Sequence, residues 1–358
     1  MEEFHILTIN PGSTSTKIGV YINTNPVFVK TIRHSGEDLA GFEKITDQYA
    51  FRKDIIYREL KDAEVNLNNL KAVVGRGGVV KPIPSGVYEV NEALIHDLKD
   101  SPVGEHASNL GGLIAYDIAR SLPNARAFIA DPVVVDELCD YARVTGHPLL
   151  KKVSIFHALN QKAIAREHAK SIMRKYEDLN LIVVHLGGGI SVGAHQKGRV
   201  IDVNNALDGD GPFSPERSGS LPVAELTRLC FSGKYTQKEV LKMITGGGGL
   251  MAHLGTNSAY EVEQKAAAGD EHFRLIFEAM AYHVSKQIGS MWPVLNGKVD
   301  GILITGGIAN SKTFVNLIIQ RVHRMAPVYV YPGEDEMRAL AMNGLMILSG
   351  AAQPKIYE

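Results

Sequence analysis

The sequence predicts a duplicated α/β fold, two domains each built on a mixed sheet, and three observations carry that prediction. Two are glycine-rich, hydroxyl-bearing turns that lie about half a chain apart, each between apolar runs. The first is Asn10-Pro11-Gly12-Ser13-Thr14-Ser15-Thr16-Lys17, between Phe4–Ile9 and Ile18–Ile22. The second is His185-Leu186-Gly187-Gly188-Gly189-Ile190-Ser191, between Leu181–Val184 and Val192–Ala194. The third is the alternation of strand and helix patterns around them, into which each antiparallel hairpin brings a reversed strand, so that the sheets are mixed. Outward-facing N–H groups in such a turn make a concave nest of donors suited to phosphate oxygens. Two nests at matching places in two halves suggest a duplicated fold that grips one polyphosphate from both sides, as an ATP-using protein would.

Taken in order, the apolar runs predict strands at 4–9, 17–22, 26–33, 71–75, 86–90 and 126–130, with helices at 42–60, 91–99 and 107–121. After Asp131-Pro132 the pattern restarts with a helix over 158–177 and a strand over 181–185. Helices near 222–231, 236–244 and 271–292 follow, then strand 301–305, helix 311–325, strand 328–331 and a last helix over 335–349. Phe314, Leu317, Ile318, Val322 and Met325 recur at helical spacing after Asn310 or Ser311 as N-cap. Phe273, Phe277, Met280, Val284, Ile288 and Met291 mark a long helix in the same way, and both stripes read as core. The stretch 204–220, rich in Gly, Pro, Asp and Ser, is the longest irregular segment and so a place to expect function. The run Gly246–Gly249 reads as a flexible hinge or lid.

Bulk properties narrow the class. A chain of 358 residues with 45% apolar and 22% charged residues can bury two cores. A net charge of −1 argues against nucleic acid or an anionic membrane as partner. Two cysteines, Cys139 and Cys230, give neither a disulfide framework nor zinc-ligand spacing. The start, Met1-Glu2-Glu3-Phe4, lacks the basic and apolar regions of a signal peptide, and no apolar run reaches the roughly 18–20 residues that span a bilayer. A cytoplasmic protein is expected.

Several residues stand out for chemistry. No Gly-x-x-x-x-Gly-Lys-Ser/Thr occurs, which argues against a P-loop enzyme. In Leu303-Ile304-Thr305-Gly306-Gly307-Ile308 a buried strand ends in a double glycine, which lets a flat ring lie against bare backbone or simply makes a tight turn. Arg76, in Gly75-Arg76-Gly77-Gly78, and Arg217, in Pro215-Glu216-Arg217-Ser218-Gly219, could fork onto carboxylate or phosphoryl oxygens, although a loop arginine is most often a solvated charge. Asp131 ends an apolar strand and is placed either for magnesium or for capping the next turn. Glu334-Asp335-Glu336 opens the last helix, where negative charge also suits the helix dipole. His157 after Phe156 would alone read as a packed or capping histidine.

Together these pieces resemble the acetokinase family, within the acetate and sugar kinase/Hsp70/actin superfamily, over essentially the whole chain. The markers are Asn10-x-Gly12-Ser13-x-Ser15-x-Lys17, Gly75-Arg76-Gly77-Gly78, Phe156-His157, His185-Leu186-Gly187-Gly188-Gly189, Arg217-Ser218-Gly219, Thr305-Gly306-Gly307-Ile308 and Pro332-x-x-Asp335-Glu336. The resemblance implies two actin/Hsp70-like (ribonuclease H-like) domains with a central nucleotide cleft. It divides the chain into 1–133 plus 335–358, on the phosphate and substrate side, and 134–334, on the nucleotide side. Asn10-Pro11-Gly12, the stretch Ala158-Leu159-Asn160-Gln161 and Pro215-Glu216 depart from the acetate kinases toward butyrate and branched-chain fatty acid kinases.

The implied reaction is reversible transfer of phosphoryl from ATP, with Mg²⁺, to butanoate, giving butanoyl phosphate and ADP; isobutyrate, propionate and acetate are the alternative acids. In the implied roles, Arg76, Arg217, His157 and Asp131 are catalytic. Asp131 and Glu336 position the metal, with Asp335 as the alternative one residue away. Asn10, Gly12, Ser13, Ser15 and Lys17 support the phosphates opposite His185, Gly187, Gly188 and Gly189, while Gly306, Gly307 and Ile308 flank adenosine. A homodimer or larger homo-oligomer is implied as well. Gly78 stands where acetate kinases carry a valine near the acyl group, so its bareness is expected to open room for two more methylenes, each worth about 0.8 kcal/mol when buried. A sugar or polyol kinase, with Asp131 as base, and a non-catalytic ATP-driven module are the rival readings.

Overall fold

The computed structural model describes residues 2–100 and 106–358. The chain divides into two compact units, Met1–Val135 with Asp335–Glu358, and Asp136–Glu334.

The first unit opens with a meander, β1 (His5–Pro11), β2 (Ser15–Ile22) and β3 (Asn25–Arg33). Ser35 and Asp38 close a capping box on the one-turn helix α1 (Gly36–Leu39). Then come α2 (Tyr49–Asp62), β4 (Leu70–Arg76), β5 (Val87–Glu89), α3 (Glu92–Asp100), α4 (Asn109–Arg120) and β6 (Arg126–Ala130). The helix expected over 42–60 starts only at Tyr49, because a 3₁₀ turn over Thr46–Gln48 precedes it, with Asp47 accepting from the Lys44 N–H. The sheet runs β3-β2-β1-β4-β6-β5, with β1 and β6 parallel to β4 and the hairpin partners antiparallel. Leu7, Ile9, Ile56, Leu60, Val73, Leu110 and Ile114 share its core. Helix α4 lies so close to β4 that a Cβ on Gly75 would sit 2.2 Å from the Gly111 carbonyl oxygen.

The second unit contains α5 (Asp140–Arg143), α6 (Ala158–Ser171), β7 (Asn180–Leu186), β8 (Ile190–Gln196) and β9 (Arg199–Val203). It continues with α7 (Val223–Cys230), α8 (Gln237–Ile244), α9 (Gly249–Leu254), α10 (Ala259–Ala267), α11 (Glu271–Val294), β10 (Gly301–Gly306), α12 (Lys312–Val322) and β11 (Val328–Pro332). Its sheet, β11-β10-β7-β8-β9, repeats the β6-β4-β1-β2-β3 order of the first, again with two antiparallel pairs in the hairpins and parallel pairs on the other side. The duplication legible in the two glycine turns is therefore a duplication of topology. The two stripes predicted as core do pack together: Phe277 of α11 meets Phe314 of α12 edge to face, centroids 5.2 Å apart. The helix expected to run to 177 stops at Ser171, where Met173 at φ 55° turns the chain. The chain then returns to the first unit with α13 (Glu336–Leu348), which covers β1 and β4.

Candidate active site

In the first unit the carboxyl ends of the parallel strands β1, β4 and β6 carry Asn10, Arg76 and Asp131, the edge at which open α/β sheets gather ligands. Arg76 pairs with Glu336 through two prongs, Nη1 to Oε2 at 3.1 Å and Nη2 to Oε1 at 3.0 Å. Asn10 Nδ2 donates to the same Oε2 at 2.6 Å. Asp335 instead accepts the Arg338 N–H as the N-cap of α13, so of the two neighbouring acids it is Glu336 that joins Asn10 and Arg76. Asp131 is 2% exposed and sits at φ 36°; its Oδ1 accepts from the Ser85 hydroxyl at 2.6 Å and the Gly86 N–H at 2.9 Å. One oxygen of Asp131 thus clamps the turn before β5.

The hairpin turn holding Gly12 and Ser13 is braced from within by a residue that the sequence reading missed. Arg52 of α2, 1% exposed, donates through Nη1 to the Gly12 and Ser15 carbonyls and the Thr16 hydroxyl, and through Nη2 to the Ser13 carbonyl. Gln48 holds the guanidinium from behind. Tying the carbonyls inward leaves the turn's other face to its N–H groups and hydroxyls, although the Gly12 N–H itself closes the hairpin onto the Ser15 carbonyl. Ser13 and Lys17 are exposed and Ser15 half-buried. The signal was present: Arg52 stands in the 52–56–60 stripe of α2, where Ile56 and Leu60 are core.

The glycines after Arg76 correct one expectation. A Cβ on Gly78 would lie 2.5 Å from both Asn109 Oδ1 and Leu98 Cδ2, and one on Gly77 would lie 2.6 Å from Pro132 Cβ. The space beside Gly78 is filled by α3 and α4, so its missing side chain leaves no room for an acyl chain. It allows β4 and its exit to lie on the helices.

In the second unit His185 is the last residue but one of β7; its Nδ1 is 2.8 Å from Asn160 Oδ1 and its Nε2 is 3.4 Å from Glu334 Oε2. The His157 ring stacks on it, centroids 3.7 Å apart at 13°. His157 is the N-cap position of α6, and its Nδ1 lies 2.9 Å from the Ser191 hydroxyl on β8. In the turn between them the Gly187 N–H donates to the Gly189 carbonyl, and the Ser214 hydroxyl donates to the Gly188 carbonyl at 2.7 Å. Arg217 packs against this turn so closely that a Cβ on Gly189 would be 1.9 Å from its Nη1. Its guanidinium donates to the Ala206 carbonyl, and among the described residues no carboxylate lies within ion-pair distance of it. Burial pulls its pKa below the usual arginine value, against the favourable charges of Glu216 and Asp208.

The run Gly246–Gly249, expected to be a hinge or lid, is a packed strap. The Gly246 N–H donates to the Glu216 carbonyl at 2.7 Å and the Leu250 N–H to the Ser214 carbonyl at 3.1 Å, while Thr245 bridges to Arg217. A Cβ on Gly249 would sit 1.7 Å from the Ser214 carbonyl oxygen. Gly248 and Gly249 are bare because the Arg217 loop lies on them, whereas at Gly246 it is the φ of 96° that favours glycine.

Beside the turn opens a cavity of about 680 Å³ lined by Gly187, Gly188, Gly307 and Ile308, by Asn310–Lys312 at the start of α12, and by Asn257–Tyr260 and Phe277. Gly306, at φ 95°, lets the strand end lie against β7, since a Cβ there would be 2.3 Å from the Leu186 carbonyl oxygen. The wall formed by 257–264 went unseen in the sequence, since α10 buries little more than Val262. Among the described residues no three His, Cys, Asp or Glu side chains cluster as a metal site. Magnesium asks for less, one or two carboxylates completed by water and phosphate oxygens, and the Glu336 carboxylate beside the Asn10 carboxamide is a hard-oxygen set of that kind. Among the described residues no helix is long and apolar enough to cross a membrane.

Two sheets of matching strand order, each with a glycine turn between its first two strands, define the duplicated actin/Hsp70-like kinase fold. The acetate kinase of Porphyromonas gingivalis shares it with a TM-score of 0.77 at 18% identity, over 96% of this chain and 100% of that one. A propionate kinase of Francisella tularensis does so with a TM-score of 0.74 at 20% identity, over 95% and 98%. The family model of the acetokinase family matches residues 149–342. Butyrate kinase 2 of Clostridium acetobutylicum is 55% identical over 356 residues, 99% of this chain and all of that protein. The chain belongs to the acetokinase family, and it is a phosphotransferase with a carboxyl group as acceptor.

Proposed function

We propose that the chain is a butyrate kinase, which moves the terminal phosphoryl of ATP reversibly and in line to butanoate. The substrate follows the 55% identity to a butyrate kinase. The observation that carries the chemistry is Arg217, a half-buried guanidinium held against a glycine turn, with the Ala206 carbonyl as its one side-chain hydrogen-bond partner among the described residues. Such a charge is stabilised when an anion arrives.

A carboxylate with a pKa near about 4 is already ionised at neutral pH, so the nucleophile needs no general base. It needs its charge and that of the phosphates offset. Arg76 and Arg217 hold the substrate carboxylate and the transferring phosphoryl, and His157 donates a hydrogen bond to an equatorial oxygen of that phosphoryl. Asn10, Gly12, Ser13, Ser15 and Lys17 support phosphates, as do His185, Gly187, Gly188 and Gly189. The cavity beside Gly306, Gly307 and Ile308 takes adenosine. Glu336 and Asp131 hold Mg²⁺, which when bound offsets phosphate charge. Spread equatorial charge is most of what such a catalyst must stabilise, and one arginine can supply roughly 10³–10⁵ in rate. A sugar kinase would need Asp131 as a free base, whereas its Oδ1 already receives two hydrogen bonds. A homodimer or larger homo-oligomer in the cytoplasm completes the reading.

The test is acyl phosphate formation, trapped with hydroxylamine, from Mg-ATP and each of formate, acetate, propionate, butyrate, isobutyrate and valerate. The expected maximum in kcat/KM is at butyrate, with Arg76→Ala and Arg217→Ala each lowering kcat at least about a hundredfold. A maximum at acetate overturns the substrate, and near-normal kcat in both variants overturns the arginine roles.

A further inference from the structure

Behind His157 lies a continuous file of buried polar groups on α6, β8 and the turn before β7. Tyr176 Oη is 2.6 Å from His195 Nδ1, and His195 Nε2 is 2.9 Å from Gln161 Oε1. Gln161 Nε2 is 2.8 Å from Ser191 Oγ and 3.1 Å from the Ser191 carbonyl; Ser191 Oγ is 2.9 Å from His157 Nδ1. Gln161, Ser191 and His195 have no exposed surface. Gly193 makes room for the file, since a Cβ there would lie 2.6 Å from Gln161 Oε1.

Every proton in the file can be placed from one fixed point. The Ser191 carbonyl only accepts, so the Gln161 amide must turn its NH₂ toward Ser191 and its oxygen toward His195. His195 must then carry its proton on Nε2, and its Nδ1 accepts from the Tyr176 hydroxyl. Full burial beside Lys162 and Arg166 pushes the His195 pKa down and agrees with that neutral ring. The second amide proton of Gln161 goes to Ser191 Oγ, which also receives the His157 backbone N–H at 3.4 Å. Two of the three partners of Oγ are donors. The one acceptor left for the Ser191 hydroxyl is His157 Nδ1.

We propose that Tyr176, His195, Gln161 and Ser191 are positioning residues that form a one-way file of donated hydrogen bonds, holding His157 as the tautomer protonated on Nε2. The proposal rests on the reading of His157 as a donor to the transferring phosphoryl, and it explains how a neutral imidazole is a donor there at every turnover. A ring free to exchange tautomers would present a lone pair to an anion part of the time.

The experiment uses the full chain labelled with ¹⁵N-histidine, together with Gln161→Glu. In the wild type, the His157 Nδ1 resonance is expected in the unprotonated range and Nε2 in the protonated range. The introduced carboxylate can only accept, so the Ser191 hydroxyl turns back to it and His157 becomes protonated on Nδ1. For Gln161→Glu, kcat is expected to fall about 30-fold with little change in KM for ATP. In the His157→Ala background the same change should cost less than about 3-fold, because the file then has nothing to orient. A wild-type spectrum with the proton on Nδ1, or full additivity of the two losses, overturns the proposal. The wild-type spectrum decides alone if the variant does not fold. Near-normal kcat in His157→Ala overturns the role of His157 itself, and leaves the tautomer to the spectrum.

Discussion

Gly78 and Arg52 make opposite points about single residues. Read in sequence, Gly78 was a missing side chain beside a substrate; in the fold it is the space that Leu98 and Asn109 fill. Gly78→Val should therefore lower stability by about 3 kcal/mol or more, beyond the ordinary cost of overpacking, and leave the acetate-to-butyrate ratio of the folded fraction unchanged. Thermal melts with turnover of both acids check this, and a ratio shifted toward acetate in a stable protein would restore the pocket argument. Arg52 was overlooked as one charge among many in a helix, and its four bonds to the hairpin turn become visible only when that helix is laid on the sheet. Motif residues such as Asn10, Arg76 and His157 were legible because glycine turns flank them or a family pattern contains them. Of their supporters, Arg52 carries no such local mark, while Ser191 and Gln161 stand in stretches that drew notice but show their bonds to each other and to His157 only in the fold. The choice between Asp335 and Glu336 likewise waited on the helix phase, which gives the cap to one and the Arg76 pair to the other.

At the scale of elements, period and punctuation served well where an element buries a full stripe. The hairpins β1–β2 and β7–β8 and the helices α11 and α12 all stand close to where apolar spacing put them. Strand β9 was missed because its turn is Lys197-Gly198, both at positive φ, in place of a stronger Asn-Gly signal. Helices α9 and α10 were missed because they are short and bury little. The strap 246–249 was misread for a different reason: glycine content reports conformational freedom of the chain, and says nothing of what lies against it. Since that strap carries the Arg217 loop, Gly249→Ala should push on the Ser214 carbonyl and displace the arginine. We expect kcat to fall at least about tenfold while far-ultraviolet circular dichroism stays unchanged. Wild-type kcat in that variant would show that the loop holds Arg217 without the strap.

For the molecule as a whole, burial pulls several histidines below their ordinary pKa. Desolvation leads in lowering the pKa of His34, His168, His195 and His283, helped by Arg52 at His34, by Lys162 and Arg166 at His195 and by Lys286 at His283, and opposed by Asp300 at His168. A folded-state pKa below the unfolded value means that the unfolded chain binds more protons. The associated stability is full above about pH 6.5 and is lost as pH falls below it toward the folded values. The melting temperature at pH 5.5 should thus lie below that at pH 7.5. Calorimetry in both buffers checks the shift, and equal melting temperatures would mean that these rings titrate normally in the fold.

The return of α13 to the first unit has a consequence for synthesis. On that helix Gly344 lies against Ile6 and Val74, and beyond it the Tyr357 hydroxyl donates to Asp97 at 2.6 Å, with the tyrosine buried in the first core. Strands β1 and β4 are therefore covered by a helix that is made only after the whole of the second unit. The 136–334 segment can close its own sheet before α13 is made, but β1 and β4 must wait, with one face bare, until α13 has followed it. Birth order and completion order are reversed in this chain, and the interval between them is when its nascent apolar surface is most in need of a chaperone.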